Sequence, residues 1–256
     1  MSIPVIGTAI VNGPHWLKKL IDSVDYPVDE FVIFNNNGRG QFDEELDLMA
    51  KIEHPFIKKI KVCHLPKNIG CSGAWNMIIK CYMNAPYWII VNHDVSFTEG
   101  FLEEMYTKAS DPEIGMVHGG VGDFGIGGYD LFLIKDWTVQ KLGLFDENFY
   151  PAYCEDADYI MRFKHNPVKT DYCTKPYLHG GTTEYYETGS QTKKEDPSIA
   201  NRLTEINVEN FEYMTKKWGE GWRWVDPYHK PFNDENSETG RTTYDLEYVR
   251  KKNLGF

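Results

Sequence analysis

The sequence predicts an α/β fold in which a mostly parallel sheet has helices on both faces, and three observations support this. Short apolar runs alternate with segments of helical periodicity four times in the first hundred residues. The run Trp88–Val91 is apolar throughout, as expected of a strand buried on both faces. Polar or glycine residues follow each run, and ligands bind at the carboxyl ends of the strands in such sheets.

The first half of the chain is predicted to contain four strands with helices between them. Helical spacing of apolar residues such as Leu17, Leu20 and Ile21 distinguishes the helices from the strands. The predicted strands are 3–10, 30–34, 57–65 and 88–91, and the predicted helices are 14–26, 42–52 and 74–82. Thr98 and Glu99 are expected to form the cap and first turn of a further helix.

The pattern changes after Gly115, where the glycine-rich stretch 118–128 cannot be the interior of a helix. The rest is predicted as a strand at 129–135, helices at 136–142 and 156–164, a strand at 168–174, a mobile loop at 182–199, a helix at 205–218 and an extended tail at 220–256. We therefore expect one domain over 1–219, with a tail packed on it.

Composition excludes several classes of function. The 256 residues have a net charge of −11, which argues against a broad nucleic-acid surface. No apolar run is long enough to cross a membrane, and the N-terminus does not resemble a signal peptide. The five cysteines form no CxxC pair, which is typical of buried thiols in a reducing compartment. A cytoplasmic protein without nucleic-acid partners or a transmembrane segment is therefore expected.

Polar residues gather at the ends of all four early strands. Together they predict a nucleotide-binding cradle, because Asn and Asp side chains can hydrogen-bond a base or ribose. The residues are Thr8 and Asn12 from strand one, Asn35 from strand two, Lys67, Asn68, Gly70 and Asn76 after strand three, and Asn92, His93 and Asp94 after strand four. The alternative is a set of turns and helix caps. The sequence has neither GxGxxG after the first strand nor GxxxxGK[ST].

Two further groups of residues indicate chemistry. Glu155 and Asp156 begin a predicted helix after the aromatic stretch FYPAY, so either carboxylate is a candidate general base. Asp158 is spaced to pair with Arg162, which is a structural role. His179 could join Asp94 and ligand phosphates in holding a divalent cation.

The order of these motifs resembles the GT-A glycosyltransferases, closest to family 2. The resemblance runs from about residue 3 to 219 through AIVNGPHWLKKLIDSV, FNNNG, NIGCSGAWN, NHD, GLFDENFYPAYCEDADYIMR, HGG and KKWG. It implies a GT-A fold whose residues 1–115 bind the nucleotide sugar and whose residues 116–219 hold the acceptor and the catalytic groups.

The resemblance implies a role for each matching position. Asp156 would be the base that deprotonates the acceptor, and Glu155 would position it or hydrogen-bond the acceptor. Asp94, in the segment that matches DxD, would bind Mn²⁺ or Mg²⁺, with His179 as the later ligand. The nucleotide would be held by Thr8, Asn12, Asn35, Asn68 and Asn76, and the donor sugar pocket would be shaped by Trp75 and the glycines around Gly119.

Two positions depart from the family pattern. Asn92 stands where the first Asp of DxD is expected, and Asn35 where a base-binding Asp is expected. The implied function is metal-assisted, inverting transfer of a sugar from a nucleotide-diphosphate sugar to a hydroxyl of a glycan or glycoprotein. A UDP-sugar is the leading candidate for the donor. The alternatives are a carbohydrate- or nucleotide-binding protein that has lost transfer, and a structural or capsule-assembly protein that binds a partner through WRWVDPYHKPF. The oligomeric state stays open.

Overall fold

The structure is a computed structural model that describes residues 2–120, 128–180, 190–222 and 227–237. These residues form a seven-stranded sheet and a separate two-stranded pair. In chain order the strands are β1 Ile3–Ile10, β2 Val28–Asn35, β3 Ile60–His64, β4 Tyr87–Val91, β5 Val95–Phe97, β6 Ile114–His118, β7 Leu131–Lys135, β8 Lys169–Tyr172 and β9 Tyr177–His179. The sheet order is β3-β2-β1-β4-β7-β6-β8, and β5 pairs with β9.

Helices cover both faces of the sheet, as the sequence predicts. They are α1 Pro14–Asp22, α2 Asp43–Met49, α3 Gly70–Cys81, α4 Phe101–Ala109, α5 Asp136–Leu142, α6 Glu155–His165, α7 Gln191–Glu195 and α8 Pro197–Trp218. Apolar residues of α1, α2 and α4 pack on one face. Those of α3, α5, α6 and α8 pack on the other.

The order of the strands determines where a ligand-binding crevice lies. β1 lies between β2 and β4 and is parallel to both, so the chain turns in opposite directions on the two sides of β1. A crevice opens at such a switch point, beyond the carboxyl ends of the strands. Val11 and Asn92 lie just beyond the ends of β1 and β4, and both line the cavity described below.

The sheet is mixed beyond β4. β7 is antiparallel to both β4 and β6, and β8 is parallel to β6. The sequence did not predict β6, although all five of its residues are buried. The strand was missed because it contains Gly115, a residue that is unusual inside strands. A Cβ at this position would lie 2.3 Å from Val168 and 2.4 Å from the Thr138 hydroxyl, so close packing requires glycine here.

Several predicted helix boundaries were wrong. α1 ends at Asp22 and α2 at Met49, each before its predicted end, and three helix starts were misplaced. α3 begins at Gly70, four residues before its predicted start, because Gly70 takes a left-handed φ of 80° and the Cys71 N–H bonds to a carbonyl outside the helix. α4 begins at Phe101 after Gly100. The Thr98 hydroxyl does not cap it but donates to the Pro176 carbonyl.

The third error concerns the predicted loop at 182–199. Residues 181–189 lie outside the described part of the chain, but 190–199 contain α7 and the start of α8. α8 begins at Pro197 because the Asp196 carboxylate accepts from the N–H groups of Ser198 and Ile199. The predicted helix at 205–218 is therefore only the second part of α8.

Residues 227–237, the described part of the predicted tail beyond Trp222, contact α8. The Tyr228 N–H donates to the Trp218 carbonyl at 2.8 Å, and the Phe232 ring lies 5.9 Å from the Tyr213 ring. Among the described residues, no helix is long and apolar enough to span a membrane.

Candidate active site

A cavity of about 360 Å³ opens at the crevice between β1, β4 and the start of α6. This volume is within the usual range for small-molecule sites. Its walls come from both predicted halves of the domain. The residues that line it include Asn36, Asn68, Gly70, Cys71, Trp75, Asn92, His93, Asp94, Tyr129, Asp130, Tyr153, Glu155, Asp156, Thr192, Ile199 and Leu203.

The predicted nucleotide residues of β1 and β2 make contacts inside the protein. Thr8 is fully buried and does not line the cavity. Asn12 donates to the Thr192 carbonyl at 3.0 Å, which ties α7 to the end of β1. Asn35 donates to Asp43 at 2.7 Å and lies 3.2 Å from the His64 ring nitrogen.

The neighbouring Asn36 reaches the cavity instead. Its side chain accepts from the Ile69 N–H at 2.8 Å and donates to the Gly70 carbonyl at 3.1 Å. Asn68 lines the same wall, and its side chain accepts from the Gly70 N–H at 2.8 Å. A Cβ on Gly70 would approach the Tyr150 ring to 2.9 Å. The end of β2 and the start of α3 thus form one hydrogen-bonded wall.

Asn76 and Lys67 lie outside this wall. Asn76 is buried, donates to the Phe145 carbonyl and to Glu147, and accepts from the Phe145 N–H, all within 2.9 Å. It therefore connects α3 to the segment before α6. Lys67 is exposed one residue before Asn68.

The end of β4 presents Asp94 beside His179. Asp94 is buried; one carboxylate oxygen accepts from the Gln191 N–H at 2.8 Å, and the other lies 3.3 Å from His179 Nε2. His179 Nδ1 lies 3.3 Å from Asp130, which also accepts from the Tyr177 hydroxyl. β9 positions His179 by pairing with β5, in which Val95 lies opposite it.

This pairing shifts both titration equilibria. Burial raises the pKa of Asp94, but the hydrogen bond with His179 and the charges of His93 and His179 bring it down to about 2. Burial lowers the pKa of His179, but Asp130 and Asp94 raise it to about 10. Asp94 is therefore a carboxylate at neutral pH.

Asn92 and His93 complete this wall. The Asn92 N–H donates to the Asp130 carbonyl at 2.8 Å, which joins the end of β4 to the start of β7. His93 is buried, and its Nε2 has no hydrogen-bond partner among the described residues. Burial lowers the pKa of His93.

Two carboxyl groups enter the cavity from the start of α6. Glu155 is only 6% exposed, and burial together with the charge of Asp156 raises its pKa to about 8. Asp156 is half-buried and accepts from the Ala157 N–H. Tyr153 and Cys154 precede them with left-handed φ angles of 79° and 74°, so the chain turns sharply into the helix. The two adjacent carboxyl groups therefore lie in different environments.

The other charges of this segment form a buried network behind the site. Asp158 is bound by Arg162 at 2.5 Å, by Lys217 at 2.6 Å and by the Trp218 N–H at 2.8 Å. Lys217 also binds Asp146 at 2.6 Å. The network fixes α6 to α8, which agrees with the structural role predicted for Asp158.

The floor of the cavity is aromatic. The Trp75 ring is nearly parallel to that of Tyr129, with centroids 6.2 Å apart, and packs edge-on against Phe132 and Phe145. Gly119 does not line the cavity; its N–H pairs with Leu131. The remaining glycines predicted there fall mainly in 121–127, outside the described residues.

Sequence reasoning missed several lining residues. Asn36 stands in the FNNNG turn, where the sequence does not distinguish three successive asparagines. Ile199 was missed because it fell in the predicted loop at 182–199, and Leu203 because it preceded the predicted helix at 205–218. Asp196 before Pro197 is nevertheless a helix-start signal. No local sequence signal identifies Tyr129 or Asp130.

The raised pKa of Glu155 predicts pH-dependent stability. The folded protein keeps this proton up to about pH 8, whereas the unfolded chain releases it near its ordinary value of 4.5. Between these values Glu155 lowers the free energy of unfolding as pH rises, by up to about 1.4 kcal/mol per pH unit. Urea denaturation should therefore show that Glu155→Gln is more stable than the wild type at pH 9, but not at pH 4. Glu103→Gln, an exposed first-turn residue of α4, is the control, and equal pH profiles for wild type and Glu155→Gln would contradict the assignment.

The sequence is similar to those of known glycosyltransferases. The family model described as glycosyl transferase family 2 matches residues 6–174. A galactofuranosyl glycosyltransferase of Leishmania donovani is 20% identical over 225 residues, covering 62% of this chain and 52% of that protein. The chain thus spans about half the length of that relative.

Solved structures share the fold. A crystal structure of GalNAc-T7 with UDP, GalNAc and Mn²⁺ superposes with a TM-score of 0.61 at 12% identity, covering 87% of this chain and 49% of that one. Residues 1–349 of S. aureus TarS with UDP-GlcNAc give 0.54 at 14% identity, covering 81% and 66%. Both confirm the predicted α/β architecture of the GT-A type.

Proposed function

Because the chain belongs to glycosyl transferase family 2, we propose that it transfers a sugar from a nucleotide-diphosphate sugar to an acceptor hydroxyl. The observation that supports this best is that Asp94 and the pair Glu155–Asp156 line one cavity at the switch point of the sheet. A cation-binding carboxylate and a general base are both needed there, one for the departing diphosphate and one for the attacking hydroxyl. We propose a UDP-sugar as donor, since solved relatives bind UDP or UDP-GlcNAc.

Asp156 is proposed as the base. Its carboxylate takes the proton of the acceptor hydroxyl as that oxygen bonds to the anomeric carbon, and the bond from that carbon to the diphosphate oxygen breaks. Attack from the face opposite the leaving group inverts the anomeric configuration. Glu155 is the weaker candidate for the base, because its raised pKa keeps it protonated at neutral pH.

Asp94 and His179 are proposed to hold a divalent cation, Mn²⁺ or Mg²⁺. No cluster of three or more His, Cys, Asp or Glu side chains suited to a metal occurs within the described residues. The carboxylate and the imidazole nevertheless lie 3.3 Å apart. Once His179 releases its proton, this pair would fit a cation that takes its other ligands from the diphosphate. When bound, the cation would offset negative charge on the departing diphosphate.

Asp94→Asn should abolish the metal-dependent part of nucleotide binding. Removing a carboxylate ligand is expected to lower UDP affinity in the presence of Mn²⁺ by at least about 10- to 100-fold, the range seen even when only an outer-shell partner is lost. Isothermal titration of UDP with and without Mn²⁺ measures this. Asp25→Asn is the matched control, because Asp25 also accepts a backbone N–H, from Gly100, but lies outside the cavity. A variant that keeps the full Mn²⁺ effect would exclude Asp94 as a ligand.

The stereochemical course tests the proposed mechanism directly. Proton NMR of the product should show the anomeric configuration opposite to that of the donor. Retention of configuration would rule out single displacement assisted by Asp156.

A second candidate is a nucleotide- or carbohydrate-binding protein on the same fold that transfers slowly or not at all. It is favoured by Asn92, which replaces an acidic residue, and by the contacts that Gln191 and His179 already make with both Asp94 oxygens. Slow hydrolysis of a UDP-sugar that is lost in Asp94→Ala would argue for the enzyme. Donor binding without hydrolysis or transfer would argue for the binding protein.

A further inference from the structure

Three buried polar atoms on the cavity wall have no hydrogen-bond partner among the described residues. They are His93 Nε2, Tyr129 Oη and Glu155 Oε2. Buried polar groups are nearly always satisfied, and leaving one unpaired is destabilising. His93 adjoins Asp94 and lies on the side proposed for the diphosphate. Tyr129 belongs to the aromatic floor, and Glu155 lines the same cavity. The function proposed above gives neither Tyr129 Oη nor Glu155 Oε2 a hydrogen-bonding partner.

Tyr129 is held rigidly. It is 6% exposed, and its ring packs against Phe132 at 5.2 Å, against Phe145 at 6.2 Å and nearly parallel to Trp75. A ring packed on several sides cannot turn its hydroxyl toward bulk solvent. The hydroxyl therefore occupies a fixed position on the cavity wall, where a ligand can satisfy it.

Glu155 is fixed in the same way. Its carboxyl group interacts with the Cys71 thiol and with the Tyr153 backbone, which leaves Oε2 as the unsatisfied oxygen. With its raised pKa, the group is a neutral acid at pH 7, able to donate one hydrogen bond and accept others.

The chemistry of this wall suits a sugar better than a phosphate. A hydroxyl and a neutral carboxyl group provide no positive charge for an anion, whereas both can donate to and accept from sugar hydroxyls. Trp75 adds an apolar surface for the C–H face of a ring. We propose that Tyr129 Oη and Glu155 Oε2 hydrogen-bond hydroxyls of a sugar ring and make Tyr129 a specificity-determining residue. This inference rests on the proposed function.

Tyr129→Phe tests the inference. Calorimetry with UDP, UDP-glucose, UDP-galactose, UDP-N-acetylglucosamine and UDP-N-acetylgalactosamine should show unchanged affinity for UDP. The additional affinity due to the preferred sugar should fall about tenfold, as expected for one lost hydrogen bond. If the ring belongs to the acceptor, donor affinities stay equal and the acceptor KM rises by a similar factor.

Tyr159→Phe is the matched control, because Tyr159 is a buried tyrosine whose hydroxyl already donates to the Gly143 carbonyl at 2.8 Å, outside the cavity. We expect Tyr159→Phe to have a lower Tm with unchanged sugar preference. Tyr129→Phe should have a Tm equal to or above that of the wild type, because it loses an unpaired hydroxyl. Glu155→Gln retains a donor and an acceptor and should preserve most of the preference.

Two results would overturn the inference, and they are distinguishable. If UDP binds but Tyr129→Phe matches the wild type for every donor and for the acceptor, the sugar assignment is wrong while the proposed function stands. If the wild type binds neither UDP nor any UDP-sugar, the proposed function is wrong and the inference falls with it.

Discussion

Replacing Asp156 by Asn is expected to slow sugar transfer by about 10²- to 10⁴-fold while donor affinity stays unchanged. Asn keeps the size and the hydrogen-bonding oxygen of Asp but cannot accept the proton of the attacking hydroxyl. Asp156 is half-buried on the cavity wall and does not belong to the network around Asp158, so the substitution should leave the fold intact. Initial rates with saturating donor, together with calorimetry of UDP, separate catalysis from binding.

The control for this experiment is Asp136→Asn. Asp136 is a first-turn carboxylate of α5, as Asp156 is of α6, but it does not line the cavity. Its loss tests the effect of removing a negative charge from a helix N-terminus. Wild-type rates in Asp156→Asn would show that the base assignment is wrong. Equal slowing by both variants would indicate a structural cause.

Lys217→Met is expected to lower the free energy of unfolding by about 3–5 kcal/mol, the usual cost of breaking a buried ion pair from one side. Lys217 is 3% exposed and binds both Asp146 and Asp158 at 2.6 Å. Although burial raises the pKa of Asp158, Arg162 and Lys217 hold it below the ordinary value. Without Lys217, Asp146 loses the cation that it binds, and Asp158 keeps Arg162 and the Trp218 N–H. Since whole domains have about 5–15 kcal/mol of stability, this loss is large.

Urea denaturation of Lys217→Met beside Lys216→Met measures the effect, because Lys216 is the exposed neighbour on the same helix. We expect Lys216→Met to be within about 0.5 kcal/mol of the wild type, as is usual for a surface change. Adding Asp146→Asn to Lys217→Met should restore part of the loss by removing one unpaired charge. Equal stability of the two single variants would contradict a structural role for the network.

Much of the fold was predictable because its signals are strong and local. β1 and α5 agree with the predicted ranges at both ends, and β4 and β7 were predicted as apolar strands. β6 was missed because glycine is a poor indicator of a strand. The close packing that requires Gly115 there involves Val168 and Thr138, which are distant in the sequence. The starts of α3 and α8 depend on caps and on a backbone contact from Cys71 to Pro151.

Less of the site than of the fold could be predicted. The sequence places Asp94, Glu155 and Asp156 at strand or helix ends, and all three line the cavity. It cannot tell which amide faces a ligand and which holds the protein together. Asn12 and Asn76 hydrogen-bond backbone carbonyls of the protein itself. The sequence could not show this, because their partners come from segments more than sixty residues away.

The central claim is that this cavity binds a nucleotide diphosphate with help from a cation. Calorimetry of UDP, GDP, dTDP and CDP, each with and without Mn²⁺, tests it most directly. We predict saturable binding of UDP that tightens with Mn²⁺, and at 100 times the dissociation constant UDP should add about 2.7 kcal/mol to the free energy of unfolding. Absence of binding by all four nucleotides, with and without Mn²⁺, would contradict the account.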